Sequence, residues 1–366
     1  MKLPVILILF FVFAFAGTAQ SQKIMRFYTG TYTSEGGTGI HQCTLNAETG
    51  EIKLNETYKG IDNPSFLAVS VDRKYLYAVS ESDDSYVLAW EIQESGALKF
   101  INKQFANGKG ACFAEVSANG KWVAVANYGS GTIALYPVAG NGALMPASSV
   151  IENKGSGPDK ARQAAPHAHS VRFSPFSDEV FCADLGTDQL DIFRIENGKL
   201  VQGEQKFVKM EPGAGPRHIE FHTSGKMIFV INELNSTITT IKNTNGKWER
   251  GESVSTLPSD FTGKSYCADI HISPDGRFLY GSNRGHNSIA VFEIAGSKLN
   301  LKATVKVEGN WPRNFAVSPD GKFLVAANQR SNNITVFTID EKTGIPVFTG
   351  SEIKTGSPVC IKFLNK

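Results

Sequence analysis

Neither sign of charge dominates this sequence. In 366 residues, 37 Lys and Arg stand against 35 Asp and Glu, so nothing in the charge points to nucleic acid or an anionic membrane surface as a partner. Cysteine is scarce: the five, at 43, 112, 182, 267 and 360, are odd in number and dispersed, and no CxxC pair occurs. Each lies inside an apolar strand pattern, as in Glu179-Val-Phe-Cys182-Ala, so they read as small buried hydrophobes rather than a disulfide framework or zinc ligands. No G-x-S-x-G elbow leads into a helix, and Gly36-Gly-Thr-Gly39 has no helix after it; a serine-hydrolase nucleophile and a phosphate loop are thereby excluded. The one long apolar run, Val5 to Ala16, follows Lys2 and precedes the small residues Gly17 and Ala19. It falls short of the ~20 residues of a spanning helix and reads as a secretory signal peptide over residues 1–22, cleaved near Ala19 or Ser21. A secreted, periplasmic protein with no further membrane insertion is expected.

What is abundant is turn and strand chemistry: 35 Gly, 24 Phe, many Val and Ile, and repeated Asp-Gly and Asn-Gly pairs, which accept positive φ and close hairpins. One unit recurs. Pro274-Asp-Gly-Arg-Phe-Leu-Tyr-Gly-Ser-Asn283 matches Pro319-Asp-Gly-Lys-Phe-Leu-Val-Ala-Ala-Asn328, and weaker copies begin at Ser70, Ser117, Ser174 and His222. With Ser273 and Ser318 as the corresponding starts of the first two, the intervals along the chain are 47, 57, 48, 51 and 45 residues. Four short strands per period of that length is the signature of a propeller blade. Six copies are complete. Pro358 to Leu364 reads as an inner strand without successors, and Met25–Thr31, Gly39–Leu45 and Glu51–Tyr58 as three strands without an inner one. The expected fold is therefore all-β: one seven-bladed β-propeller over residues 23–366, its ring closed by N-terminal strands pairing with the C-terminal strand, which leaves no free sheet edge.

The long interval of 57 contains a loop, Gly155-Ser-Gly-Pro-Asp-Lys-Ala-Arg162-Gln-Ala-Ala-Pro166, that empties into an inner strand and is expected to lie over one mouth of the channel. Polar residues stand at equivalent places of several blades: His167, His169 and Asp184; Arg217, His218 and Glu233; Asp269, His271 and Arg284; Arg313. The Asn or Asp that is tenth in the unit (Asn127, Asp184, Asn232, Asn283, Asn328) can simply bond backbone at a strand end. Three converging arginines, however, require an anion or carboxylates between them, and Glu233 is the obvious internal partner. An ion-pair network that only plugs the axis would use the same residues.

Pro166-His-Ala-His-Ser-Val171, Asp184-Leu-Gly-Thr-Asp188, Gly213-Ala-Gly-Pro-Arg-His218, Asn232-Glu-Leu234 and Ser282-Asn-Arg-Gly285 resemble the signature segments of the bacterial lactonase family of seven-bladed propellers, which includes 6-phosphogluconolactonases and is related to carboxymuconate-lactonising enzymes. The resemblance runs from about Arg26 to Phe363. It implies a catalytic set of His167, Arg217, Glu233 and Arg284, with His169, Arg313, Asp184, His218 and Arg162 as substrate-binding candidates, and it implies neither metal nor cofactor. The implied activity is hydrolysis of a sugar lactone, 6-phospho-glucono-δ-lactone or an unphosphorylated aldonolactone, by a monomer. A non-catalytic periplasmic binding or scaffold propeller and a muconate-type lactonising enzyme are the alternatives.

Overall fold

The computed structural model describes residues 23–364; the signal-peptide expectation for residues 1–22 lies outside them. Seven four-stranded antiparallel sheets make up the described residues. Blade five shows why the unit folds as it does. Its strands are Tyr266–Ile272, Phe278–Arg284, Ser288–Ala295 and Lys298–Lys306, in order from the axis outwards. Asp275-Gly276 makes the first hairpin, with Gly276 at φ +74 and the Ser273 hydroxyl donating to the Asp275 carboxylate while accepting from the Phe278 N–H. The same Ser-x-Asp or Ser-x-Asn bond recurs at Ser70, Ser117 and Ser318. The second strands are buried on both faces, as in Phe278–Arg284, and read as continuous apolar runs because neighbouring blades cover them.

The seventh sheet has the order Pro358–Phe363, Ile24–Thr31, Ile40–Asn46, Ile52–Tyr58, with Phe27 opposite Phe363 and Thr31 opposite Pro358. The first and last described strands thus share one blade, in keeping with the sequence reading. Removing residues 358–366 is expected to destabilise the fold by on the order of 5 kcal/mol, because Val359, Cys360 and Ile361 are all buried and each stabilises by roughly 1.5–3 kcal/mol. Thermal melting of the truncated protein checks this; an unchanged melting temperature would contradict it.

All five cysteines are free and buried. Burial pushes the Cys43 and Cys360 thiols up to about 12 and about 11, as expected for core packing rather than reactivity. Among the described residues, no helix is long and apolar enough to cross a membrane.

Candidate active site

Two equivalent positions per blade build one mouth of the channel. The first is the corner residue that opens the inner strand. The second is the residue just after the unit's tenth, at the end of the second strand. In six blades the backbone N–H of the second donates to the carbonyl of the corner: Glu81 to Asn63, Tyr128 to Gly110, Leu185 to His167, Glu233 to Gly215, Gln329 to Trp311 and Tyr32 to Ser357. In blade five the two are Tyr266 and Arg284, opposite each other in the ladder. The propeller therefore sets His167, Glu233, Arg284 and Trp311 on four successive blades around one opening. The tenth residues do a different job. Asn127, Asn232, Asn283 and Asn328 donate to hydroxyls or carbonyls of their own or the preceding blade and tie strand ends together.

Glu233 is the hub. Its carboxylate meets Arg162 Nη2 at 2.5 Å, Arg284 Nη2 at 2.7 Å and Arg217 Nε at 3.0 Å. Burial alone would raise this carboxyl, but the charges of Arg284, Arg217 and Arg162 overcome it and hold it well below the usual carboxylate range. Glu233 is thus an ionised orienter of guanidiniums, not a proton donor. The three arginines differ in access. The Arg162 side chain is 35% exposed, against 2% for Arg217 and 6% for Arg284. Arg217 is enclosed: Nη1 donates to the Ala268 carbonyl at 2.5 Å and to His218 Nε2 at 3.2 Å. Burial and the neighbouring charges of Arg284 and Arg313 lower it to about 10, which leaves it charged at neutral pH. Arg284 Nη2 also donates to the Cys267 carbonyl at 2.8 Å. Arg162 comes from the long loop, which leans over the mouth as the interval of 57 suggested, and its Nη2 also donates to the Tyr128 hydroxyl at 3.3 Å.

His167 is half-buried, and its ring stacks on Tyr128 with centroids 4.4 Å apart. Its Nδ1 lies 2.8 Å from the Tyr128 carbonyl oxygen. A carbonyl only accepts, so Nδ1 carries the hydrogen and the neutral ring keeps its lone pair on Nε2. His169 sits deeper, 4% exposed, edge-on to Tyr128 and His218 and 3.8 Å from Cys112 Sγ. Burial, with Arg217, lowers it well below the ordinary histidine value.

Two of the substrate-binding candidates have other work. Asp184 is fully buried, and its carboxylate accepts the backbone N–H groups of His167, Gly186 and Thr187 at 2.8–3.1 Å, plus Asn153 Nδ2 at 2.7 Å. It pins the corner that presents His167. His218 is 4% exposed, with Nδ1 on Asp269 at 2.7 Å and Nε2 accepting from Arg217; burial and Arg217 lower it to about 3. It buttresses Arg217. Arg313 lies on the same side of the channel. It lies over the Tyr32 ring at 5.1 Å and beside a gap of about 10 Å³ walled also by Ser65, Glu81, Cys112 and Arg217, space for about one water.

Residues the sequence did not single out complete the mouth: Tyr128, Tyr32 and Glu81, whose Oε2 accepts from the Tyr32 hydroxyl at 2.8 Å and from Ser65. Among the described residues, no three His, Cys, Asp or Glu side chains gather to hold a metal ion.

The support beneath Arg217 continues along the axis. His271 Nε2 lies 3.0 Å from Asp269 and its Nδ1 3.5 Å from Glu220, at the far mouth, where Arg172 pairs with Glu115. Burial would lower His271, but Asp269 and Glu220 raise it to about 9. Its ion pair therefore stabilises the fold fully below about pH 6.5, and this contribution is lost as the pH rises through about 9. His271→Gln is expected to lower the melting temperature at pH 6 and to cost progressively less towards pH 10. Melting curves across that range check it.

The profile of the family described as "Lactonase, 7-bladed beta-propeller" matches residues 26–363. This chain belongs to the lactonase family. It is 36% identical over 346 residues to the 6-phosphogluconolactonase of Bacillus subtilis (strain 168), covering 93% of this chain and 98% of that one. With the 6-phosphogluconolactonase of Formosa agariphila it shares 38% identity over 305 residues, 79% of this chain and 85% of that protein. The structure of the periplasmic gluconolactonase of Pseudomonas aeruginosa superposes with a TM-score of 0.87 at 28% identity, over 93% of this chain and 99% of that one. This lactonase-family chain thus matches relatives along nearly their whole length.

Proposed function

We propose that this protein hydrolyses a sugar lactone without a metal ion, with 6-phospho-glucono-δ-lactone or an unphosphorylated aldonolactone as substrate. The observation that carries the reading is the pairing of a half-buried histidine, whose Nδ1 is fixed by a backbone carbonyl, with an arginine cluster ordered on one ionised carboxylate. Relatives named as lactonases support it.

Opening a lactone needs an activated water, a stabilised oxyanion and a protonated leaving oxygen. His167 Nε2 removes a proton as the water oxygen bonds to the lactone carbonyl carbon. Charge develops on the carbonyl oxygen, and Arg284 with the more accessible Arg162 is arranged to receive it. Arg217 holds Glu233 in place from beneath. As the carbon–ring-oxygen bond breaks, the His167 imidazolium returns its proton to the ring oxygen, giving the open hydroxy acid and restoring the neutral base. Glu233 stays ionised throughout and orients the guanidiniums.

Removal of residues 1–22 and export to the periplasm belong to the same proposal, supported by the apolar run after Lys2 and by the printed location of the Pseudomonas relative. Such a location favours the unphosphorylated lactone. Assaying the protein with both lactones and with a muconolactone tests the function: turnover of at least one sugar lactone is expected, and turnover of the muconolactone alone would contradict it.

A further inference from the structure

At five of the seven corners the backbone is left-handed: Asn63 at φ +40, Gly110 at +62, Gly215 at +66, Trp311 at +67 and Ser357 at +38. Gly, Asn and Ser are small enough for this conformation, but a bulky aromatic residue there is an outlier. Blade six nevertheless places a tryptophan where blades two and four place glycine. The chain around it fixes the strained geometry: the Trp311 N–H donates to Asn287 Oδ1 at 2.9 Å, and its carbonyl accepts from the Gln329 N–H at 3.0 Å. Strain of this kind persists where the surrounding structure over-determines it, and it clusters at functional sites.

The side chain shows what the strain achieves. The Trp311 ring carries the Arg330 guanidinium over it at 3.5 Å and the Arg284 guanidinium at 5.6 Å, with Tyr266 packed at 6.3 Å between ring centroids. Arg284 is held by Glu233 and the Cys267 carbonyl through Nη2 alone, and its buried Nε has no hydrogen-bond partner. One anchored nitrogen leaves the planar guanidinium free to turn unless something flanks it. The ring is the flanking group, within the range of cation–π attraction.

We infer that Trp311 is a positioning residue: it occupies a glycine corner so that its ring braces Arg284 in the orientation that receives the developing oxyanion. The inference rests on the lactonase reading for its kinetic consequence, but the brace itself is a property of the fold.

The test compares Trp311→Gly, Trp311→Phe, Arg284→Lys and the Trp311→Gly/Arg284→Lys double variant. Trp311→Gly relieves the backbone and should melt at or near the parent temperature. Its kcat on glucono-δ-lactone should fall roughly 10²-fold, the scale of a misplaced catalytic group, with little change in KM. Trp311→Phe keeps a ring over Arg284 and should recover most of that kcat. The melting shifts of the Gly and Lys variants should be non-additive, since the two side chains interact. If the parent turns over no lactone, the kinetic arm falls with the proposed function and the melting cycle still decides this inference. Additive melting shifts, a Trp311→Gly protein that melts far below the parent, or one with undiminished kcat would overturn it.

Discussion

Replacing His167 with Gln should lower kcat on the lactone substrate by roughly 10²–10⁴-fold, the usual contribution of a positioned general base, while KM and melting temperature stay near those of the parent. Gln can still bond the Tyr128 carbonyl through its amide, as His167 Nδ1 does, but it has no basic nitrogen to take a proton from water. Stability should hold because Asp184 fixes the corner through the backbone N–H of residue 167, which the substitution keeps. His169→Gln is the control. His169 is enclosed and faces Cys112 and His218 rather than the opening, so it should change kcat far less. Steady-state kinetics on the two variants separate the two histidines.

Glu233→Gln should be the most disruptive single change at the mouth. It removes the one negative charge that three guanidiniums share at 2.5, 2.7 and 3.0 Å. Breaking a buried ion pair by removing one partner costs about 3–5 kcal/mol, and here Arg217 and Arg284 would be left close together with Arg313 nearby. The melting temperature should therefore fall, and activity with it, at temperatures where the variant is still folded. Because the Glu233 carboxyl is depressed, its stabilisation is present above the ordinary Glu value near pH 4.5 and is lost only as the pH falls through its lower folded-state value. Parent and variant should thus differ at pH 7 as much as at pH 5.5. Thermal melts at both values check this; a variant as stable as the parent at pH 7 would show that the cluster is not an ion-pair hub.

Most of the fold was legible because its signals are local. The Pro-Asp-Gly turn followed by a buried strand recurs at propeller spacing, and the strands expected at Met25–Thr31, Gly39–Leu45, Glu51–Tyr58 and Pro358–Leu364 lie within one residue of those observed. The site was legible only in part. His167, Glu233 and Arg284 stand out in their segments, but Tyr128, Tyr32 and Glu81 look like ordinary residues until the ring places them after the tenth position of their blades. The tenth residues tie strand ends together, as the sequence allowed, and the mouth is built by the residues one place after them. Asp-Leu-Gly-Thr carries the pattern of an aspartate accepting the amides of its own turn, and the Asp184 carboxylate does accept the N–H groups of Gly186 and Thr187. Burial decides the remaining cases. Arg217 and Arg162 are equally charged in the sequence, and only packing shows that the first supports the hub while the second reaches the opening.

The most direct measurement is hydrolysis of glucono-δ-lactone and its 6-phospho derivative by the protein in excess chelator, beside the His167→Gln variant at the same concentration. The account predicts turnover of at least one of the two lactones, unaffected by the chelator and reduced at least roughly 10²-fold in the variant. Parent and variant with equal rates, or activity abolished by chelation, would contradict it.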